Sequence, residues 1–211
     1  MIDLKTWDPK RTAILTIDLQ NDFLHPKGAY GRAGQSADSI AALPDCIAPL
    51  VKALRARGGH YISAQFTLVP NASGEPLISP HLKALRPFLG KGDFAPGSFG
   101  HTLVDELFPA DFVIEKVAYS AFYQTRLEYI MRAVGIDRLI VGGIVTNGGV
   151  ASTLRDAHLR DIETVLLTDG SAAFKNDVHE ATLLSLATVT HQMACADLLD
   201  TITTDWPEVA A

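Results

Sequence analysis

Residues 139–157, L-I-V-G-G-I-V-T-N-G-G-V-A-S-T-L-R-D-A, constrain the fold of this chain more than any other stretch. They open with a run rich in Ile and Val, which is typical of a strand buried on both faces. A turn with Gly148 and Gly149 follows, and apolar residues then recur at helical spacing from Val150. A strand-to-helix turn at the carboxyl end of a parallel strand is where open α/β sheets bind ligands, although many such turns are plain connections.

Strand patterns and helix patterns alternate along the rest of the chain. Short apolar runs predict strands at residues 13–17, 60–66, 111–115, 139–145 and 164–167, with a short edge strand at 187–190. Apolar residues at helical spacing predict helices at residues 39–57, 124–133, 150–158, 177–186 and 196–203. This alternation predicts an α/β fold, a three-layer sandwich with a mainly parallel sheet flanked by helices, in a single domain over residues 1–211.

The composition narrows the classes of function. The chain has 18 Lys and Arg against 24 Asp and Glu, a net charge of -6, which disfavours nonspecific nucleic-acid binding. Its two cysteines and seven scattered histidines give neither a disulfide framework nor the spacing of a metal site. No apolar run reaches membrane-spanning length, and residues 1–10 lack the apolar core of a signal peptide. We therefore expect a cytoplasmic protein without a metal or other cofactor, whose partner is a small molecule rather than nucleic acid or a membrane.

Two charged residues stand at the ends of predicted strands. Asp18 follows the first strand, and Lys116 follows the third. A carboxylate at a strand end is costly to bury unless it is paired or functional, although capping of the next turn is an alternative role. Tyr119 and Phe122 follow Lys116 closely and fit the wall of a small-molecule pocket, but a surface lysine beside core aromatics would give the same pattern.

Residues 67–100 form a long segment with many prolines and glycines. Loops of this length inside compact domains are usually functional. We expect this segment to be the lid or rim of a pocket, or a contact between subunits.

Three motifs, in this order, resemble those of the isochorismatase-like hydrolases, also called cysteine hydrolases. They are A-I-L-T-I-D-L-Q-N-D-F around Asp18, E-K-V-A-Y-S-A-F around Lys116, and G-G-I-V-T-N-G-G-V-A-S-T-L-R-D-A, with T-D-G-S-A-A-F after them. The resemblance covers nearly the whole chain and implies a parallel sheet flanked by helices. It also implies an Asp-Lys-Cys triad, a homo-oligomer (dimer or tetramer), and a cis peptide bond between Ile144 and Val145 that turns backbone N–H groups toward an oxyanion.

The chain departs from this family at the nucleophile. The catalytic cysteine of the family aligns with Gly149, and glycine has no side chain for attack. Cys46 lies in the first long predicted helix and Cys195 lies near the C-terminus, so covalent thioester chemistry is excluded. Isochorismatases proper are similar in this respect, because they too can carry glycine there and hydrolyse a vinyl ether without a nucleophilic side chain.

We therefore predict an enzyme, a cofactor-free hydrolase of a small polar or anionic molecule, with a vinyl ether of the isochorismate type as its leading substrate class. In this prediction Asp18 protonates the vinyl carbon, Lys116 orients Asp18 or binds a substrate anion, and Gly149 leaves room at the reacting centre. The predicted substrate-binding residues are Phe23, Gln65, Tyr119, Phe122 and Val145. Two alternatives stay open, namely hydrolysis of an amide or imide C–N bond by water that Asp18 activates, and a catalytically silent binding protein.

Overall fold

A parallel β-sheet forms the centre of the protein in a computed structural model that describes residues 4–206. Within these residues the sheet has six strands, β1 (Thr12–Ile17), β2 (His60–Phe66), β3 (Phe112–Lys116), β4 (Arg138–Ile144), β5 (Glu163–Ala172) and β6 (His191–Met193). Their order is β3-β2-β1-β4-β5-β6, and every neighbouring pair is parallel. The predicted parallel sheet flanked by helices is confirmed.

Nine α-helices connect the strands of this described region. They are α1 (Asn21–Leu24), α2 (Ala29–Arg32), α3 (Asp38–Ala41), α4 (Leu43–Ala56), α5 (Pro80–Leu85), α6 (Leu127–Val134), α7 (Ala151–His158), α8 (Asn176–Leu186) and α9 (Cys195–Asp205). Short 3-10 turns cover Leu4–Thr6, Pro9–Arg11 and Asp105–Leu107, and one turn of π-helix covers Thr146–Val150. Between residues 4 and 206, no helix is long and apolar enough to cross a membrane.

The two faces of the sheet bury separate apolar cores, which makes three layers. Along β1, Ile14 packs in a core shared with α4 and α9, whereas Leu15 and Ile17 pack in a core shared with α6 and α7. This division follows from the alternation of side chains along a strand. All six residues of β1 are buried, as expected for a central strand covered on both sides.

Several predicted boundaries differ from the observed ones for local reasons. The predicted helix 39–57 is divided into α3 and α4, where Pro44 occupies the first turn of α4 and needs no N–H partner there. The predicted helix 124–133 begins only at Leu127, because Gln124 has a left-handed φ of 54° and the Thr125 hydroxyl accepts the Leu127 N–H. The residues predicted as loop at 23–34 include the end of the short helix α1 and all of the short helix α2.

The last part of the sheet also differs from prediction. The predicted edge strand at 187–190 is wrong: these residues form turns in which the N–H groups of Val189 and Thr190 bond to the Leu186 carbonyl, and the edge strand β6 follows them. Strand β5 is longer than the predicted 164–167. The register shifts after the pair Val141–Leu166, where β5 carries extra residues, and Ser171 then pairs with Gly143 and extends β5 to Ala172.

Candidate active site

The carboxyl ends of β1, β3 and β4 bring the predicted catalytic residues together. Asp18 directly follows β1 and has a left-handed φ of 61°, a conformation that Asp tolerates better than most residues. Lys116 is the last residue of β3, which is separated from β1 by β2. Two strand spacings amount to about 10 Å, a gap that a long lysine side chain helps to bridge.

Asp18 and Lys116 form a buried ion pair. Lys116 Nζ lies 2.8 Å from Asp18 Oδ2, and the side chains are 1% and 9% exposed, respectively. Lys116 Nζ also donates to the Ala118 carbonyl at 3.1 Å and lies 5.6 Å from the centre of the Phe66 ring. These contacts fix the ammonium group on one oxygen of the carboxylate.

The second oxygen of Asp18 has different surroundings from the first. Among residues 4–206 the buried Asp18 Oδ1 has no hydrogen-bond partner. Burial raises the pKa of Asp18, and the charge and hydrogen bond of Lys116 oppose this effect without cancelling it. The result is a carboxyl group that is a stronger base than a solvated aspartate and holds its proton to higher pH.

Gly149 lies against this carboxylate in the π-helical turn that links β4 to α7. A Cβ atom built on Gly149 would lie 3.4 Å from Asp18 Oδ2 and 2.7 Å from Ile17 Cγ2. The peptide bond between Ile144 and Val145 is cis, as the resemblance implied. In the described chain the backbone N–H of Val145 donates to no recorded acceptor, so a polar donor stands near Asp18 without a protein partner.

A cavity of about 80 Å³ joins these groups. Its lining includes six of the predicted site residues, which are Asp18, Phe23, Lys116, Tyr119, Val145 and Gly149. The remaining lining is mostly apolar or aromatic and was not predicted; it consists of Tyr30, Phe66, Leu82, Leu85, Leu89 and Phe174, together with Arg86. Part of the segment 67–100 therefore forms a wall of this cavity, as expected for a rim.

Two predicted substrate-binding residues lie elsewhere. Gln65 is buried but does not line the cavity, because side chains alternate along β2 and its neighbour Phe66 faces the cavity instead. Phe122 packs in the core beneath α6 and α7, where the Arg160 guanidinium lies 4.9 Å from the centre of its ring. Neither residue contacts the space beside Asp18.

Two polar residues that follow Asp18 hold the rim against the sheet. Gln20 Oε1 accepts the Phe66 N–H at 2.8 Å, and Gln20 Nε2 donates to the His101 carbonyl at 2.9 Å. Asp22 accepts the Ala29 N–H at 2.8 Å on one oxygen and the Phe94 N–H at 2.6 Å on the other. Both residues belong to the D-L-Q-N-D motif, so their position next to Asp18 was the signal that could have identified them.

Other features of the surface carry less chemistry. A larger cleft of about 440 Å³ lies at the amino ends of β5 and β6, away from the strand ends that hold Asp18. No group of three or more His, Cys, Asp or Glu residues between positions 4 and 206 is arranged to hold a metal ion. The independence from cofactors stays a prediction.

Comparison with known proteins assigns the chain to a family. The model of the isochorismatase domain matches residues 12–201. The chain therefore belongs to the isochorismatase-like hydrolases, as its motifs and its ion pair indicated.

Individual relatives agree with this assignment. The ureidoacrylate amidohydrolase RutB of Methylobacterium radiotolerans is 34% identical over 193 residues, which are 86% of this chain and 75% of the relative. A cysteine hydrolase from Pseudomonas syringae superimposes with a TM-score of 0.81 at 26% identity, covering 95% of this chain and 97% of the other. An N-carbamoylsarcosine amidase from Thermoplasma acidophilum shares the fold, with a TM-score of 0.69 at 22% identity over 88% of this chain and 96% of its own. The cellular location and the oligomeric state stay predictions.

Proposed function

We propose that this protein hydrolyses a C–N bond in a small ureido or amide acid by direct attack of water, without a covalent enzyme intermediate. The observation that carries the proposal is the Asp18 carboxylate, which belongs to a residue lining the cavity and has one oxygen on Lys116 and the other buried without a partner among residues 4–206. Gly149 offers no side chain that could attack the substrate, and the position of its absent Cβ lies only 2.7 Å from Ile17 Cγ2, so we assign the attack to water from the cavity.

Each group then has a defined task. Asp18 takes a proton from water, and the resulting hydroxide attacks the carbonyl carbon of the substrate. Lys116 stabilises and orients the carboxylate, while the Val145 N–H and the neighbouring Gly149 N–H donate to the oxyanion. The proton on Asp18 passes to the leaving nitrogen. For a ureido group, one water and R–NH–CO–NH₂ give the carbamate R–NH–COOH and ammonia.

Two observations support a C–N bond as the target. The ureidoacrylate amidohydrolase relative is named for this chemistry on a ureido acid, and it aligns over most of both chains. Burial also raises the pKa of Asp18, which makes the ionised carboxylate a better acceptor for the proton of water.

A second candidate, hydrolysis of a vinyl ether, rests on the same raised pKa. A carboxyl group that keeps its proton to higher pH is better able to protonate the vinyl carbon, the step that this reaction needs. Water then adds to the oxocarbenium ion, and the adduct breaks down to a carbonyl compound and an alcohol. Here too Asp18 acts without a thiol.

The test compares the two substrate classes and their pH dependence. The full chain is assayed for ammonia release from 3-ureidoacrylate and for carbonyl release from an enolpyruvyl ether. A base must be ionised, so C–N hydrolysis should rise as pH increases through the pKa of Asp18, whereas vinyl-ether hydrolysis should fall. Asp18→Asn should reduce turnover about 10²- to 10⁴-fold, the usual value of a positioned acid or base.

Two controls complete this experiment. Asp197→Asn removes a carboxylate from the exposed face of α9 and should leave turnover unchanged. N-ethylmaleimide should also leave turnover of the wild-type chain unchanged, because no thiol takes part. Full activity of Asp18→Asn, or loss of activity on alkylation, would contradict the proposal, and tight binding without turnover of either class would favour a silent binding protein.

A further inference from the structure

Arg86 is the charged group in the cavity that the proposed mechanism does not use. It caps the C-terminus of α5, is half-buried, and lines the same cavity as Asp18 and Lys116. The cavity thus contains two cationic side chains and one carboxylate. Because Asp18 and Lys116 neutralise each other at 2.8 Å, the charge of Arg86 is in excess.

The guanidinium group of Arg86 is held in place but only partly satisfied. Its Nε donates to the Tyr30 hydroxyl at 2.9 Å, and its Nη1 donates to the Leu85 carbonyl at 2.9 Å. A guanidinium has five N–H donors. Within residues 4–206, Nη2 has no recorded acceptor and Arg86 has no carboxylate partner.

Tyr30 is itself fixed by aromatic packing. Its ring stacks on Phe174 with the centroids 5.7 Å apart and an interplanar angle of 7°, and it also contacts Phe23 at 4.6 Å. The hydroxyl that positions Arg86 therefore belongs to a rigid wall of the cavity. A fixed guanidinium with unused N–H groups is suited to carboxylate recognition, because two of its parallel N–H groups can donate to the two oxygens of one carboxylate.

We propose that Arg86 binds the carboxylate of the substrate and selects small anionic acids whose apolar part lies against the aromatic wall. This inference rests on the proposed function, because it takes the cavity to be the substrate site. Arg86 is half-buried beside apolar side chains, and an anionic ligand in the cavity would give it the carboxylate partner that residues 4–206 do not supply. Arg86 is thus a residue for specificity, and Tyr30 is its positioning residue.

The test measures binding rather than turnover, so that it does not depend on the chemistry at Asp18. Isothermal titration of the full chain uses trans-crotonate and its neutral amide, trans-crotonamide, which differ in charge and have closely similar shapes. Loss of a charge-assisted hydrogen bond should weaken crotonate binding to Arg86→Gln about 10- to 150-fold while crotonamide binding is unchanged. Arg86→Lys should recover part of the affinity, because lysine keeps the charge but loses the planar fork.

Matched variants separate this role from a general effect of charge. Arg132→Gln makes the same change on the exposed side of α6 and should bind crotonate like the wild type. Tyr30→Phe should give a smaller loss of crotonate affinity than Arg86→Gln and no loss of crotonamide affinity. Absence of saturable crotonate binding to the wild type, or equal affinities of Arg86→Gln and Arg132→Gln, would overturn the inference. If crotonate binds as expected but no C–N substrate turns over, the proposed reaction fails while the carboxylate site stands.

Discussion

Lys116→Met tests whether the buried ion pair holds the site together. The substitution keeps an unbranched side chain of similar length and removes the charge. Asp18 then loses the hydrogen bond from Lys116, and its carboxylate stays buried. Removing one partner of a buried ion pair costs about 3–5 kcal/mol. For a chain of this size that loss corresponds to a decrease in melting temperature of about 6–20 °C.

The cost should also depend on pH in a defined direction. Burial already raises the pKa of Asp18 in the wild-type chain, and removal of Lys116 takes away its charge and its hydrogen bond, both of which lower that pKa. A carboxyl group with a raised pKa in the folded state contributes stability below its unfolded pKa and loses that contribution as pH rises through its folded value. The destabilisation by Lys116→Met should therefore be largest at neutral pH and should shrink as the solution is acidified.

Urea denaturation followed by circular dichroism, at several pH values, measures both effects. The double variant Asp18→Asn/Lys116→Met removes both charges and should recover most of the lost stability, because a neutral pair needs no compensation. Lys52→Met, on the exposed face of α4, should change stability by no more than about 0.5 kcal/mol. A loss below about 1 kcal/mol for Lys116→Met at neutral pH, or a loss that is independent of pH, would refute the account of the pair.

Two further substitutions test the surroundings of the pair. Gly149→Cys would carry its Cβ 3.4 Å from Asp18 Oδ2 and 2.7 Å from Ile17 Cγ2, so the Ile17 side chain must shift to accept it. Turnover should then become sensitive to alkylation, and a substrate adduct on the introduced thiol should be detectable by mass spectrometry. An inert, alkylation-resistant variant that folds like the wild type would argue against this geometry. Asp22→Asn removes one of the two oxygen acceptors for the N–H groups of Ala29 and Phe94, which should lower the free energy of unfolding in urea by about 1.5–3 kcal/mol. It should also raise KM, because Phe94 belongs to the segment that forms part of the cavity wall, and an unchanged stability would contradict this role.

The fold was predictable because the central strands are buried on both faces. Apolar runs at β1, β2 and β4 mark such strands directly, and the helices between them require a parallel sheet. The predicted bounds of strands and helices are wrong where a single hydrogen bond determines where the element begins or ends. The turn before β6 and the delayed start of α6 depend on particular N–H partners, and no periodicity in the sequence reports them.

The site was predictable to the extent that it is built on strand ends. Parallel strands end at the same edge of a sheet, so Asp18 and Lys116 could be expected to meet. The orientation of Gln65 could not be predicted, because a strand buried on both faces shows no polar alternation that would fix which residues face the cavity. Phe122 lies in a turn, where no period exists to assign its side chain to the core or to the cavity.

The arrangement of the cavity separates the reaction from the choice of substrate. Asp18 and Lys116 are fixed by strand ends in the sheet, whereas Leu82 and Arg86 belong to the segment 67–100, outside the sheet. Substitutions in that segment can alter which acid is bound without moving the ion pair. We therefore expect variation in that segment to appear mainly in KM. Substitution of the ion pair should appear mainly in kcat, since Asp18 exchanges protons with the reacting atoms in the proposed mechanism.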